Sequence, residues 1–424
     1  MNLDQRRWII LLAGCLSNLC TGSVYAWSVF ATPMAEHLSR LTGQVLTSSD
    51  LSIVFTVITA FFAIPLICGG AINDKLGPRG VMLAGGLLFG IGTLLAGFAT
   101  SLPMLAAVYG FLPSLGSGFT YSCTVSSLVK FFPDRRGLVG GISTASLGLS
   151  SVVVPPVANV LIQSLGVAST FKVLGLFYLV VICICGLFFR RCPQDYCPAG
   201  WTPPAPASDG LPASERTWRQ MLRDPIFYVM FALISLGSVF GLMVTSQASP
   251  MAQELIEMPV AAATLVVSVL ALCNASGRIL SGLISDRIGR INTITAVTLL
   301  GIIGLFLLYL SGPGAALLFC LGICLVGFCF GSFMGVFPGF TADQFGSRNN
   351  SLNYGIMFLG YSVAGFIGPN LMAQVHSATG SYHSAFPAAA LLAALGLALT
   401  FLYRAMTRTP HRKEVEAHGH GTGL

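Results

Sequence analysis

The chain has 424 residues and a formal net charge of +7, yet only 9% of its residues are charged and 54% are hydrophobic, for a mean hydropathy of +0.80. A soluble domain averages about 25% charged residues, so this composition cannot cover a water-facing surface, which excludes a soluble enzyme and a disordered chain. Seven excess positive charges over such a length make no phosphate-binding footprint, so the expected surroundings are a lipid bilayer and no nucleic acid.

Apolar runs of about 18 residues or more predict membrane helices. Twelve are read in chain order, over 8–30, 50–72, 80–99, 103–130, 137–162, 171–189, 225–247, 260–284, 291–311, 314–341, 350–376 and 383–404. The first follows Arg6 and Arg7 and is long enough to remain a span rather than a cleaved signal. The one long connection, 190–224, holds six prolines and several charges and reads as a hydrophilic linker. The expected organisation is a six-helix bundle over 1–189, the linker 190–224, a second bundle over 225–405 and a tail over 406–424.

Ten of the twelve cysteines sit in apolar runs, where Cys acts as a small hydrophobe. Cys192 and Cys197 lie in the linker, spaced CxxxxC, and a metal or disulfide role for them stays open. The tail residues His411, His418 and His420 read as a solvated end. No cofactor or metal centre is expected.

With the N-terminus inside, 19 of the 22 basic residues fall on the cytoplasmic side, and only Arg40 and Lys172 fall opposite. This asymmetry predicts cytoplasmic N- and C-termini in an inner or plasma membrane. The remaining basic residue, Arg278, is in the middle of span 8.

The two halves repeat. Gly70-Ala-Ile-Asn-Asp74-Lys75-Leu-Gly77 ends span 2, and Gly282-Leu-Ile-Ser-Asp286-Arg287-Ile-Gly289 ends span 8, an offset of 212 between the aspartates. Arg135 matches Arg348 and Pro156 matches Pro369, each at 213. Six spans are an even number, so the repeats are parallel, and such halves are expected to hold a solute between them near the midplane.

An Arg at a span centre costs about 2.5–3.5 kcal/mol on insertion scales and keeps its proton. None of the fifteen acidic residues falls in the middle of a span. A carboxylate ligand in bidentate geometry is the natural counter-charge for Arg278. Asn274, one turn earlier on the same face, is expected to assist it. An Arg solvated by carbonyls and water is the plainer alternative.

The paired G-x-x-x-D-[RK]-x-G loops resemble the hallmark loop of the major facilitator superfamily, an all-α membrane fold of twelve helices in two parallel six-helix repeats. The resemblance implies that Gly70, Asp74, Lys75 and Arg79, with Gly282, Asp286, Arg287 and Arg290, hold a cytoplasmic gate. A basic anchor with a turn glycine is the alternative. Gly22-Ser-Val-Tyr25-Ala-Trp27 in span 1, Gly116-Ser-Gly-Phe-Thr-Tyr121 in span 4, Asp195-Tyr-Cys-Pro-Ala-Gly-Trp201, Asn274-x-x-x-Arg278 and Asn353-Tyr-Gly355 look like the oxalate/formate antiporter family, related to monocarboxylate transporters. That resemblance implies a small-carboxylate site around Arg278 and Asn274, lined by Tyr25, Trp27, Tyr121, Leu147, Phe330, Met334 and Tyr361.

Two departures refine the expectation. Oxalate-exchanging relatives have a Lys in span 11, where Tyr361 stands here, so one buried cation favours a monocarboxylate such as lactate, pyruvate or formate over a dianion. Animal monocarboxylate transporters have an Asp where Asn274 stands, which leaves H+ coupling without an intramembrane acid. His376 and His383, near span ends, read as solvated loop histidines. The expected function is secondary transport of small monocarboxylates by a monomer, by H+ symport or anion exchange. An oxalate or dicarboxylate exchanger and a non-transporting carboxylate sensor are the alternatives.

Overall fold

The computed structural model describes residues 3–48, 50–193, 196–198, 201 and 215–419. Most of the linker centre, Asp195 and His420 lie outside the described residues. Among those described, twelve helices are long and apolar enough to cross a membrane. Spans 1–6 run over Gln5–Thr42, Ser52–Leu76, Pro78–Ala96, Leu102–Phe131, Arg136–Leu165 and Val167–Phe188. Spans 7–12 run over Pro225–Ser246, Ala262–Ile288, Arg290–Leu310, Ala316–Phe345, Asn350–Thr379 and Tyr382–Thr407.

Hydropathy located every span, but span 1 continues twelve residues past its apolar run. The run ends at Phe30 because Thr32, Pro33 and Glu36 follow it. The helix goes on because Phe30, Ala31, Met34, Ala35 and Leu38 bury one face in an apolar cluster with Tyr109 and Phe171. It stops at Gly43, whose φ of 71° closes the last turn on the Ser39 carbonyl.

Three span pairs are joined by one glycine each. Gly77 (φ 95°, ψ 170°), Gly166 (φ 77°, ψ 161°) and Gly289 (φ 89°, ψ 154°) link spans 2 to 3, 5 to 6 and 8 to 9. Only glycine populates this backbone region readily. The last position of the repeated loop motif is therefore glycine for a conformational reason, in both copies.

The chain divides into two compact units. The first is Met1–Gly200 together with Ser347–Ile356, and the second is Trp201–Gly346 together with Met357–Leu424. The short helical stretch Asn350–Met357 that opens span 11 thus belongs almost wholly to the first unit, although chain order assigns it to the second bundle. Within the first unit, glycines bring backbones together: a Cβ on Gly116 would lie 2.6 Å from the Gly85 carbonyl oxygen, and one on Gly90 2.5 Å from Leu179. Within the second, Gly241 receives the Phe330 ring and Gly304 and Gly322 face each other across spans 9 and 10.

Candidate functional site

The second unit holds Arg278 and Asn274, both half-buried, one turn apart on span 8. The Arg278 Nε–H donates to Asn274 Oδ1 at 2.9 Å. Helical spacing alone produces this meeting, because residues i and i+4 share a face. The amide fixes the plane of the guanidinium. The donors on its two terminal nitrogens form the edge suited to a bidentate carboxylate.

Span 10 and the middle of span 11 bring an aromatic wall into the same unit. Tyr361 stacks on Phe330 with ring centroids 6.2 Å apart and planes 9° from parallel, and meets Phe358 at 4.9 Å. Phe330 and Met334 are buried, so their faces are largely taken up by packing. Tyr361 is half-buried.

The first unit holds the other candidates. Span 1 breaks into a 3-10 turn over Gly22–Ala26, where Gly22 packs on span 5: a Cβ there would lie 2.3 Å from the Leu147 carbonyl oxygen. Tyr25 sits in that turn and is 40% exposed, which suits a side chain presented to solute. Trp27, in contrast, is buried against Tyr109 at 5.2 Å, and Leu147 is buried too. Tyr121 is buried and its hydroxyl lies 3.5 Å from that of Tyr354.

The loop motif of the first unit organises a dense polar cluster. Asp74 Oδ1 accepts from Lys130 Nζ at 2.7 Å and from Ser351 Oγ at 2.7 Å, and Oδ2 accepts from the Leu352 backbone N–H at 3.0 Å. Asp74 thus caps the start of the Asn350–Met357 helix, where a negative charge is stabilised by orphan N–H groups. Lys130 Nζ also donates to the Arg348 carbonyl at 3.0 Å, and Asn73 Nδ2 donates to Ser351 Oγ at 2.8 Å. Ser126 and Ser351 share a further hydroxyl contact. Gly70 is small because the chain passes directly over it: a Cβ would lie 2.5 Å from the Ser351 carbonyl oxygen. Lys75 and Arg79, expected on the basic side of this cluster, are exposed, and the cation on Asp74 is Lys130.

The second copy is built differently. Arg290 bridges Asp286 (Nη1 to Oδ1, 2.7 Å) and Asp343 (Nε to Oδ2, 2.7 Å), and donates to Ser285 Oγ at 2.6 Å. Gly282 is buried behind it and Arg287 is exposed. No local signal in the sequence pairs Lys130 or Asp343 with the motif; their matching places in the repeat, 213 residues apart, are the signal it carries.

His376 and His383 are more engaged than loop histidines. His376 Nε2 lies 2.9 Å from Glu254 Oε2, with its ring stacked on Tyr382 at 4.0 Å, and His383 Nδ1 lies 3.2 Å from the Tyr309 carbonyl oxygen.

The sequence profile of the Major Facilitator Superfamily matches residues 10–369. The chain is 29% identical to the uncharacterized MFS-type transporter YhjX of Escherichia coli over 85% of its length and 86% of the relative's. It is 27% identical to the oxalate:formate antiporter of Oxalobacter formigenes over 98% and 95%, and 25% identical to monocarboxylate transporter 12-B of Danio rerio over 89% and 83%. In structure it is similar to the human organic anion transporter MFSD10, with a TM-score of 0.69 at 16% identity over 94% of this chain and 100% of that one. With twelve spans, two loop motifs at the duplication offset and this profile over most of its length, the chain belongs to the Major Facilitator Superfamily and is a multi-pass membrane transporter, not an enzyme.

Proposed function

We propose that this chain is a secondary transporter of small organic anions, monocarboxylates of the lactate, pyruvate and formate type, working by alternating access as an H+ symporter or anion exchanger. The observation that carries the reading is Arg278: a permanent cation inside an apolar span, its Nε held by Asn274 at 2.9 Å. Such a residue is costly in a bilayer and marks a solute path. A carboxylate repays that cost through two parallel charge-assisted bonds. The relatives named for oxalate, formate and monocarboxylates point to the same chemistry.

Tyr361 favours a monoanion. Its ring packs against Phe330 and Phe358, so this part of the site presents aromatic side chains rather than a second cation. The near full-length similarity to an oxalate:formate antiporter supports oxalate exchange as the second reading. The basic loops support cytoplasmic termini. The clusters around Asp74 and Asp286 act as the gate on that side, and the carrier works as a monomer in an inner or plasma membrane.

Counterflow of labelled lactate in proteoliposomes tests the proposal. The expected result is uptake that unlabelled pyruvate or formate competes for and oxalate does not, and that Arg278→Lys reduces at least tenfold with normal insertion. Uptake no greater than in empty vesicles for every short monocarboxylate would sink it, and dominant competition by oxalate would establish the second reading.

A further inference from the structure

We propose that Ser332, with the flanking glycines 331 and 335, positions the Arg278–Asn274 pair by fixing span 8 against span 10. This rests on the reading of Arg278 as the anion anchor. Ser332 is fully buried. Its hydroxyl donates to the Phe328 carbonyl at 2.8 Å, and the same oxygen lies 2.6 Å from Ser281 Oγ. One hydroxyl has one proton, so with that proton on Phe328 the Ser281 hydroxyl must be the donor to Ser332. The Ser332 oxygen also lies 3.4 Å from the carbonyl oxygen of Gly277, the residue before Arg278. Span 8 is therefore bonded to span 10 three residues after Arg278, through the Ser281 hydroxyl, while the Gly277 carbonyl only packs against the Ser332 oxygen.

The backbones close on the same place from the other edge. A Cβ on Gly331 would lie 1.9 Å from the Asn274 carbonyl oxygen, one on Gly335 2.2 Å from the Arg278 carbonyl oxygen, and one on Gly277 2.1 Å from the Phe328 carbonyl oxygen. One turn earlier the approach is looser: a Cβ on Gly327 would lie 3.0 Å from the end of the Leu270 side chain and 3.1 Å from its carbonyl oxygen, about 1 Å farther than at Gly331 and Gly335. The tightest contact thus coincides with the two residues of the anchor. Fixing depth and rotation of a helix together is what a bidentate site needs, because productive geometry tolerates about 0.5 Å. Ser332, fully buried, touches no solute; it acts through the orientation of span 8.

The test uses purified full-length protein and lactate as the probe, with apparent affinity read from the thermal midpoint against lactate concentration. Ser332→Ala is expected to weaken lactate binding about 3- to 10-fold, Ser281→Ala to do the same, and the double variant to be no weaker than either, since both remove one bond. In an Arg278→Lys background, Ser332→Ala should cost no further affinity while still lowering the ligand-free midpoint. Gly327→Ala should bind as wild type. Wild-type affinity in Ser332→Ala, or losses that multiply with Arg278→Lys, would overturn the proposal. A second measurement needs no lactate: the rate at which an anionic methanethiosulfonate reagent modifies Arg278→Cys. That rate should change at least threefold on adding Ser332→Ala, and an unchanged rate rejects the positioning role even if the carboxylate reading fails.

Discussion

Lys130 and Asp343 stand 213 residues apart at the same place in the two repeats, and they carry opposite charge. Each sits near the end of an even-numbered span beside its motif aspartate. In the first repeat Lys130 neutralises Asp74 directly at 2.7 Å. In the second an acid takes that place, and Arg290 is needed to hold Asp286 and Asp343 together. The duplicated loop has thus kept its aspartate and its glycines while exchanging the cation that answers the aspartate.

This difference predicts unequal responses to mutation. The Asp74 side chain is only 9% exposed, so Lys130→Met leaves a buried carboxylate without its cation and should cost about 3–5 kcal/mol. The bonds from Ser351 and Leu352 soften that loss without cancelling the charge. Asp343 is 38% exposed, and Arg290 keeps Asp286 when Asp343 is neutralised, so Asp343→Asn should cost less than about 1 kcal/mol. Thermal midpoints of the two variants in detergent decide the matter; equal shifts would contradict it.

The turn glycines give a second graded series. Gly77→Ala and Gly289→Ala force a Cβ into φ near +90° with extended ψ, a region that costs roughly 1–3 kcal/mol outside glycine. Gly43→Ala, at φ 71° and ψ 1°, enters the ordinary left-handed region with open space around it and should cost only about 1 kcal/mol. Midpoints should therefore fall in the order wild type, Gly43→Ala, then the two motif variants.

What the sequence made legible follows from the range of each interaction. Hydropathy is a local property, so all twelve spans could be read, and the Asn274–Arg278 bond could be anticipated because it lies within one helical turn. The partner of Asp74 could not be read locally: Lys130 is 56 residues away, whereas the adjacent Lys75 points into solvent. The same limit hid Ser332 and Ser281, two ordinary serines in apolar runs until spans 8 and 10 are packed. Tyr25 and Trp27 show the opposite case, two aromatics two residues apart, one exposed and one buried, on either side of the end of a 3-10 turn.

The linker thiols should react unequally. Cys192 carries a free thiol against the Lys130 carbonyl at 3.5 Å, and burial pushes it up to about 11 against the opposing pull of the Lys130 charge. At pH 7.5 the thiol then stays almost wholly protonated, and the thiolate is the form that reacts. Brief N-ethylmaleimide treatment at pH 7.5, read by peptide mass spectrometry, should label the exposed Cys197 and spare Cys192, with Cys192 labelling rising steeply toward pH 10. Equal labelling at pH 7.5 would show that Cys192 is not packed in this way.

Asn274→Asp offers the most direct test of what the amide does for the anchor. The wild-type Oδ1 accepts from Arg278 Nε without adding a negative charge beside it. A carboxylate at 2.9 Å supplies an internal anion that competes with the solute. Pairing with Arg278 favours the ionised Asp, so at pH 7.5 the site is self-neutralised and lactate affinity should fall more than tenfold. Protonating the new carboxyl removes the competitor, so affinity must recover as pH falls, by up to about tenfold per pH unit while the group remains mostly ionised. The wild-type protein, with an amide at this position, should lack this added slope, so its profile over pH 5.5–7.5 is the shallower of the two. Lactate titrations of both proteins across that range measure the difference. A flat profile with wild-type affinity in Asn274→Asp would mean that position 274 does not govern the charge seen by the solute.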